Sequence, residues 1–180
     1  AVQVLKKLEL TSEYKENYGF AIKNLLISYY NIGDPVETLT YSNILKNYEK
    51  SSEEDIALAH LYAAKAYAKQ NKTADATKEL NLAALKSKTE TGAEARYLVA
   101  EQQLKAKQYD KAIESAFDIA NTFSSYDYWV AKGFILMSDA YVGKGDKFQA
   151  KATLESVIEN YENDSDDVLK TAKERLQKLK

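Results

Sequence analysis

The chain has 180 residues, of which 45% are hydrophobic, with a single proline and six glycines, so it can bury a continuous core and favours helices over disorder. A formal net charge of −2, with lysines interleaved among glutamates, argues against nucleic-acid binding, and no apolar run is long enough to span a membrane. The absence of cysteine excludes disulfides and thiolate metal sites.

The first predicted element is a helix over residues 1–12 with an apolar stripe of Val2, Leu5 and Leu8. This stripe is expected to lack its partner helix, because the chain begins inside the helix. We therefore expect the chain to be a fragment of a longer protein and the stripe to offer a route to self-association.

Four helical hairpins and a terminal helix are predicted after it. The hairpins are expected at 13–52, 53–90, 91–124 and 125–162, and a charged helix at 163–180. The turns inside the hairpins are expected near Gly33, Asn71, Lys107 and Gly145, where the chain offers glycine, asparagine or a polar break.

Side chains that can cap helix starts support these boundaries. Asp34, followed by Pro35 and Glu37, fits the start of the second helix in the first hairpin. The other predicted caps are Ser51 to Glu54, Thr91 with Glu94, Ser124 with Asp127, and Ser165 or Asp166.

Equivalent positions recur along the hairpins at a nearly fixed period. The small or apolar residues expected where paired helices cross, Leu26, Ala64, Ala100 and Ser138, are separated by 38, 36 and 38 residues, and Thr38, Ala76, Ala112 and Ala150 follow the same steps. With the segments AHLYAAKAYAKQNKTADATKEL and ILMSDAYVGKGDKFQAKATL, this pattern resembles the tetratricopeptide repeat. The resemblance implies an all-α fold, a right-handed superhelical stack of antiparallel helix pairs.

The connectors between hairpins are longer than in the standard repeat. They make the chain similar to the long-connector repeats of Gram-negative cell-envelope proteins, and this similarity implies a periplasmic or cell-envelope location. The resemblance also implies a non-enzymatic scaffold that binds a partner protein or an extended peptide. The alternative is a structural or oligomerising segment of a larger repeat protein with no ligand of its own.

In a tetratricopeptide-like stack the first helix of each hairpin lines the concave face. The repeat register therefore assigns partner binding to Tyr30, Lys65, Tyr97, Glu101 and Asp139, and it places Lys69 and Lys132 on the same face. The carboxylate clamp of one subclass is not matched, because Ile27, Tyr62, Glu94 and Leu98 occupy its positions beside a matching Lys23.

The remaining motifs are interpreted as structural features and not as catalytic, metal or ligand sites. His60 is the only histidine, which favours a partly buried side chain over a catalytic or metal site. The acidic run 163–167 lacks the glycine and the final glutamate of a calcium loop, so it is interpreted as a helix cap, and 143–146 as a turn. The aromatic cluster 126–129 is expected to fill the space between hairpins, with a contact site as the alternative. No cofactor is expected.

Overall fold

Helices make up the regular secondary structure. The computed structural model of the protein describes residues 1–11 and 15–179, within which no strand is present. The described residues form α1 Val2–Thr11, α2 Lys15–Ile32, α3 Pro35–Asn47, α4 Glu53–Lys69, α5 Thr73–Lys86, α6 Glu90–Lys105, α7 Tyr109–Thr122, α8 Asp127–Lys144, α9 Lys147–Asn160 and α10 Val168–Lys178. The predicted all-α fold is confirmed. The predicted boundary between residues 12 and 13 lies outside the described residues.

The chain divides into two compact units, residues 1–92 and 93–180. In the first unit each helix from α1 to α5 packs against the next, and α2 also contacts α4. In the second unit α7, α8, α9 and α10 pack in succession, and α8 also contacts α10. Contacts between alternate helices are typical of stacked hairpins, because the first helix of one hairpin lies beside the first helix of the next. We call α2, α4, α6, α8 and α10 the first helices, and α3, α5, α7 and α9 the second helices.

The residues predicted at the helix crossings are all buried. Leu26, Thr38, Ala64, Ala76, Ala100, Ala112, Ser138 and Ala150 are each at most 1% exposed. The alanines let two helix backbones approach closely. In the last hairpin the Ser138 hydroxyl uses this proximity and donates to the carbonyl of Ala150 over 2.9 Å. The predicted repeat register is therefore confirmed at these positions.

The four predicted turns coincide with left-handed backbone. Gly33 and Gly145 have φ 81°, Asn71 has φ 60° and Lys107 has φ 58°. Glycine and asparagine adopt this region at low cost, whereas a lysine does so rarely. The turn after α6 therefore has a lysine, Lys107, at a position where glycine or asparagine is favoured.

Two of the predicted caps are present. The Asp34 side chain accepts from the backbone N–H groups of Val36 and Glu37 over 3.1 and 3.0 Å. The capping box of α4 is shifted by one residue from the prediction, because Ser52 and Asp55 form it reciprocally. Each such cap contributes about 1 kcal/mol to stability.

Two other predicted caps are wrong. Thr91 and Glu94 cannot cap α6, since that helix already begins at Glu90. The N-cap position of α8 is Tyr126 rather than Ser124. Tyr126 packs against the buried cluster that contains Phe123, so the side chain at the N-cap position is held by packing and not by a capping hydrogen bond.

The α1 stripe is packed within the first unit in part, whereas the expectation that its own hairpin partner is missing stays a prediction. Val2 and Leu5 pack against the core cluster of the first unit. Tyr41 of that cluster also donates to the Glu9 carboxylate over 2.8 Å and contacts the Lys6 ammonium. The exposed apolar residues of α1 are instead Val4 and Leu10, 73% and 83% exposed.

Candidate partner-binding site

The first unit carries an aromatic and cationic surface where α2 and α4 contact each other. The ring centroids of Tyr30 on α2 and Tyr62 on α4 lie 5.1 Å apart, with the planes at 81°. The Lys65 ammonium nitrogen lies 5.6 Å from the Tyr30 centroid and 5.0 Å from the Tyr62 centroid, and that of Lys69 lies 4.1 Å from Tyr30. We call Tyr30, Tyr62, Lys65 and Lys69 the first patch. It brings together two predicted site residues, Tyr30 and Lys65.

Helical spacing explains why these side chains meet. Tyr62, Lys65 and Lys69 are three and four residues apart, so they share one face of α4. A lysine can lay its methylene stem over a ring while its ammonium group stays in water. Each such cation–ring contact contributes about 0.5–1 kcal/mol at an exposed site. The four side chains therefore hold one another on the surface.

The second unit carries a related surface on α6 and α8. The Trp129 ring lies 5.5 Å from the Tyr97 ring and 5.0 Å from the Tyr128 ring. The Lys132 ammonium nitrogen lies 5.1 Å from the centroids of Tyr97 and Tyr128 and 5.6 Å from that of Trp129. We call Tyr97, Tyr128, Trp129 and Lys132 the second patch. Tyr97 is the predicted site residue among them.

The aromatic cluster at the start of α8 has a structural role as well. Trp129 and Tyr126 pack against a buried cluster of Ala93, Ile119 and Phe123, which belong to α6, α7 and the segment that follows. The prediction that these aromatics fill the space between hairpins is confirmed. The Trp129 ring therefore serves both the core and the second patch.

Burial and local charge set the ionisation of the second patch. Burial raises the pKa of Tyr97, and the nearby Glu101 carboxylate raises it further, against the opposing effect of Lys132. Burial disfavours the charged form of Lys132, but its 3.2 Å hydrogen bond to the Tyr128 hydroxyl and the charges of Tyr97, Tyr128 and Asp167 together outweigh burial, so the pKa of Lys132 is raised. The patch thus holds a neutral tyrosine beside a charged lysine at neutral pH.

A pocket of about 140 Å³ adjoins the second patch and is closed on one side by α10. Its lining residues are Tyr97, Lys132, Ile135, Asp167, Val168, Thr171 and Arg175. The Arg175 guanidinium contacts the carboxylate of Asp139, and burial lowers the pKa of Arg175. Asp139, a predicted site residue, is therefore joined to the terminal helix by an ion pair.

Glu101, the remaining predicted site residue, has a local partner. Its carboxylate accepts from the Lys105 ammonium group one helical turn away over 2.7 Å. Exposed pairs of this kind contribute little to stability. The Glu101 carboxylate also raises the pKa of Tyr97, so these two predicted site residues interact electrostatically.

His60 on α4 has a carboxylate partner on α5. Its Nδ1 lies 2.5 Å from the Glu79 carboxylate, which also lies 3.3 Å from the Lys46 ammonium group. Burial disfavours the charge on Glu79, but the His60 hydrogen bond and the Lys46 charge outweigh it, so the pKa of Glu79 is lowered. His60 is buried, more fully than the partly buried side chain that was predicted, and the network joins α3, α4 and α5.

The acidic run before α10 is organised by hydrogen bonds. Asp166 accepts from the backbone N–H of Val168 over 2.9 Å and from the Asn163 amide over 3.0 Å, and it contacts the Tyr161 hydroxyl. The N-cap position of α10 is Asp167, so the prediction of Ser165 or Asp166 at that position is wrong, although the Asp166 side chain accepts from the first residue of the helix. Across the described residues no group of three or more histidines and carboxylates is arranged to hold a metal ion. In the same residues, no helix combines the length and apolar character needed to cross a bilayer.

Comparisons with known proteins identify the type of repeat. The family model described as the CNOT10 tetratricopeptide repeat domain matches residues 27–172. No curated protein sequence matches the chain.

Solved structures share the fold. A crystal structure of MamA protein is similar with a TM-score of 0.67 and 19% identity, over 88% of this chain and 80% of that one. MamA 41-end from Desulfovibrio magneticus RS-1 is similar with a TM-score of 0.61 and 20% identity, over 89% of this chain and 92% of that one. The predicted α-solenoid fold is thereby confirmed.

Proposed function

Because the chain belongs to the tetratricopeptide repeat family, whose CNOT10-type model covers residues 27–172, we propose that it is a non-enzymatic scaffold that binds a partner protein. The finer part of the proposal is that the first helices carry the binding face and that the partner lies on it as an extended segment. The fold itself supports protein interaction, and tetratricopeptide repeat domains are generally not catalytic.

The second patch is the observation that best supports this proposal. Tyr97 and Trp129 are only partly buried, although both have large rings that contribute much binding energy when a partner removes them from water. The ring contacts and Lys132 hold them in place, so little side-chain freedom is lost on binding. The adjoining pocket gives a partner side chain room beside Tyr97.

A comparison of two variants tests this proposal. A partner captured by the purified chain from a lysate of the source cells would be identified and its affinity measured by calorimetry. We expect Tyr97→Ala to weaken binding by about 2 kcal/mol, as a central aromatic does. Lys111→Ala on the second helix α7 is the matched control, because Lys111 is exposed and away from the patch. Equal affinities for both variants and the parent would contradict the proposed binding face.

Self-assembly is a second candidate function, supported by the exposed apolar residues at one end of the first unit. Val4 and Ile32 are 73% and 66% exposed and line a surface pocket together with Val2. Measuring the mass in solution as a function of concentration tests this candidate. A dimer that Val4→Asp disrupts would support it, whereas a monomer at all concentrations would contradict it.

A further inference from the structure

We propose that a second pocket of the second unit binds an arginine of a protein segment, together with an apolar side chain beside it. The pocket has a volume of about 780 Å³ and is lined by residues of α8, of α9 and of positions 161–163. We call it the α8–α9 pocket. This inference goes beyond the proposed function, because the pocket is a separate site whose test uses neither the partner nor Tyr97.

The floor of the α8–α9 pocket is apolar and fixed in place. It includes Val130, Ala131 and Phe134 of α8 and Val157 of α9. Ala131 and Val157 are 5% and 4% exposed and belong to a buried cluster, against which Phe134 packs. The Phe134 ring also contacts the Phe117 ring edge-on, with the centroids 6.4 Å apart. An apolar side chain of a ligand therefore meets a preformed surface, and little side-chain freedom is lost on binding.

The charged residues that line the α8–α9 pocket are both acidic. They are Asp127 in the first turn of α8 and Glu162 just after α9, and both are exposed. Among the described residues, neither side chain makes a hydrogen bond or an ion pair. No internal contact therefore has to break before these carboxylates bind a cation. The stretch 159–167 strengthens the negative field, because it contains five acidic residues and no basic one.

One lysine contacts a wall of the α8–α9 pocket without neutralising it. Lys132 donates to the hydroxyl of Tyr128, which lines the pocket. The Lys132 ammonium group lies over the rings of the second patch and lines the smaller pocket together with Asp167, whose charge attracts it. On another wall the Tyr161 hydroxyl contacts the Asp166 carboxylate. The excess charge around the α8–α9 pocket is therefore negative.

The rings of the α8–α9 pocket favour arginine over lysine as the cation. Tyr128, Phe134 and Tyr161 line the pocket together with the two carboxylates. A guanidinium group stacks on aromatic faces and can bind a carboxylate through two parallel N–H donors, whereas an ammonium group is more strongly hydrated. The volume lies within the range of about 300–1,000 Å³ that is typical of ligand sites, so the pocket also holds a neighbouring side chain.

A pocket between α6 and α7 of the same unit lacks this charge excess. The Arg96 Nε atom lies 2.8 Å from the Asp118 carboxylate there, and Lys111 and Glu114 also line the pocket. Its two basic and two acidic residues therefore balance. A cationic side chain gains charge-dependent affinity at the α8–α9 pocket instead.

Fluorescence anisotropy with defined peptides tests this proposal on the full chain. The probe is a labelled peptide with blocked ends, in which one residue separates an arginine from a leucine on either side, so that the three side chains point the same way. Matched peptides carry lysine or glutamine in place of the arginine. We expect the arginine peptide to bind most tightly and the glutamine peptide least. The double variant Asp127→Asn/Glu162→Gln should weaken arginine-peptide binding by about tenfold, since two ion pairs are lost.

A charge-matched control distinguishes the α8–α9 pocket from general attraction. Glu114→Gln/Glu174→Gln removes the same charge from exposed positions that do not line the pocket, and it should leave binding unchanged. The preference for the arginine peptide over the glutamine peptide should shrink between about 0.1 M and about 1 M salt, where the screening length falls from about 10 Å to about 3 Å. Phe134→Leu, which keeps both carboxylates but removes one ring, should weaken arginine-peptide binding by about threefold.

Four results would overturn the proposal. The first two are equal binding of the arginine and glutamine peptides and equal losses in the two double variants. The third is equal binding of the arginine and lysine peptides, which would show that the pocket recognises charge alone. The fourth is a dimer that Asp127→Asn/Glu162→Gln disrupts while the arginine peptide does not bind, which would assign the pocket to a second copy of the chain. The partner assay with Tyr97→Ala is independent of all four, so failure of the pocket and failure of the proposed binding face are distinguishable.

Discussion

The two units use one helical register to build two different surfaces. In the first patch two lysines lie on two tyrosine rings, with Lys69 exposed. In the second patch a single lysine, Lys132, is surrounded by three rings, and the nearby arginine is paired with Asp139. The comparison teaches that the repeat fixes where a side chain lies, whereas the neighbouring residues decide how many rings and ammonium groups share one surface.

The polar contacts inside the hairpins differ in a similar way. In the first unit His60, Glu79 and Lys46 form a charged network across three helices. In the second unit the corresponding contact is neutral, because the Ser115 hydroxyl donates to the Gln103 side chain over 2.8 Å. We therefore expect the first unit to depend more strongly on single polar residues and on pH.

The largest effect is expected for Glu79→Ala. This variant leaves the His60 and Lys46 side chains, 10% and 20% exposed, without the carboxylate that both contact. Removing one partner of a buried ion pair costs about 3 kcal/mol or more. Urea unfolding followed by circular dichroism would measure the loss. Lys78→Ala, at the exposed neighbouring position, is the control, and a loss below about 1 kcal/mol for Glu79→Ala would show that the network is not structural.

Ala112→Leu is the matching test in the second unit. Ala112 is fully buried in a cluster with Ala100, Leu136 and Ala140. The larger side chain should force α7 away from its neighbours at a cost of about 1–3 kcal/mol. Thermal melts would measure it. Lys111→Leu adds the same side chain at an exposed position, so equal melting temperatures for the two variants would contradict the assigned packing.

Acid should weaken the first unit before the second. Three carboxyl groups of the first unit have a lowered pKa: Glu54, Asp55 and Glu79. Burial alone would raise the pKa of each, but hydrogen bonds and nearby cations together outweigh the effect of burial. A carboxyl whose pKa is lower in the folded state stabilises the fold above its unfolded pKa. That stability is lost as the pH falls through the lowered folded value, below about pH 4.

Hydrogen exchange at decreasing pH would test the acid prediction unit by unit. The single tryptophan, Trp129, belongs to the second unit and gives an independent fluorescence signal there. We expect amides of α3, α4 and α5 to lose protection while the Trp129 signal is still native. Earlier loss in the second unit would contradict the comparison.

Ser115→Ala should give the smallest of these effects. Its hydrogen bond to Gln103 is neutral, and the half-buried Gln103 amide can be hydrated when the hydroxyl is removed. We expect a loss of about 1 kcal/mol in urea unfolding. Ser124→Ala, which removes an exposed hydroxyl that was predicted to cap α8, should leave stability unchanged. A Ser115→Ala loss as large as that of Glu79→Ala would remove the distinction between charged and neutral networks.

The repeat register was the part of the fold that the sequence could predict. Ala112 and Ala150 recur at a fixed spacing, and a residue between two closely packed backbones must be small, so the pattern is a direct consequence of packing. Helix starts were less predictable. Tyr126 at the N-cap position of α8 is held by packing against residues of another hairpin, and no local signal encodes that contact.

The candidate site was predicted only in part. The register identified Tyr30, Lys65 and Tyr97, but not Tyr62 or Arg175, because their contacts come from a neighbouring first helix. The His60–Glu79 contact did have a signal. The two residues lie at similar distances on either side of the turn at Asn71, and antiparallel helices bring such positions together.

Hydrogen exchange of the chain with and without its bound partner tests the central claim most directly. If the first helices carry the binding face, partner binding should slow exchange in α2, α4, α6 and α8, with the largest protection near the two patches. The second helices α3, α5, α7 and α9 should change little. Protection confined to the second helices, with α4 and α8 unchanged, would contradict the account.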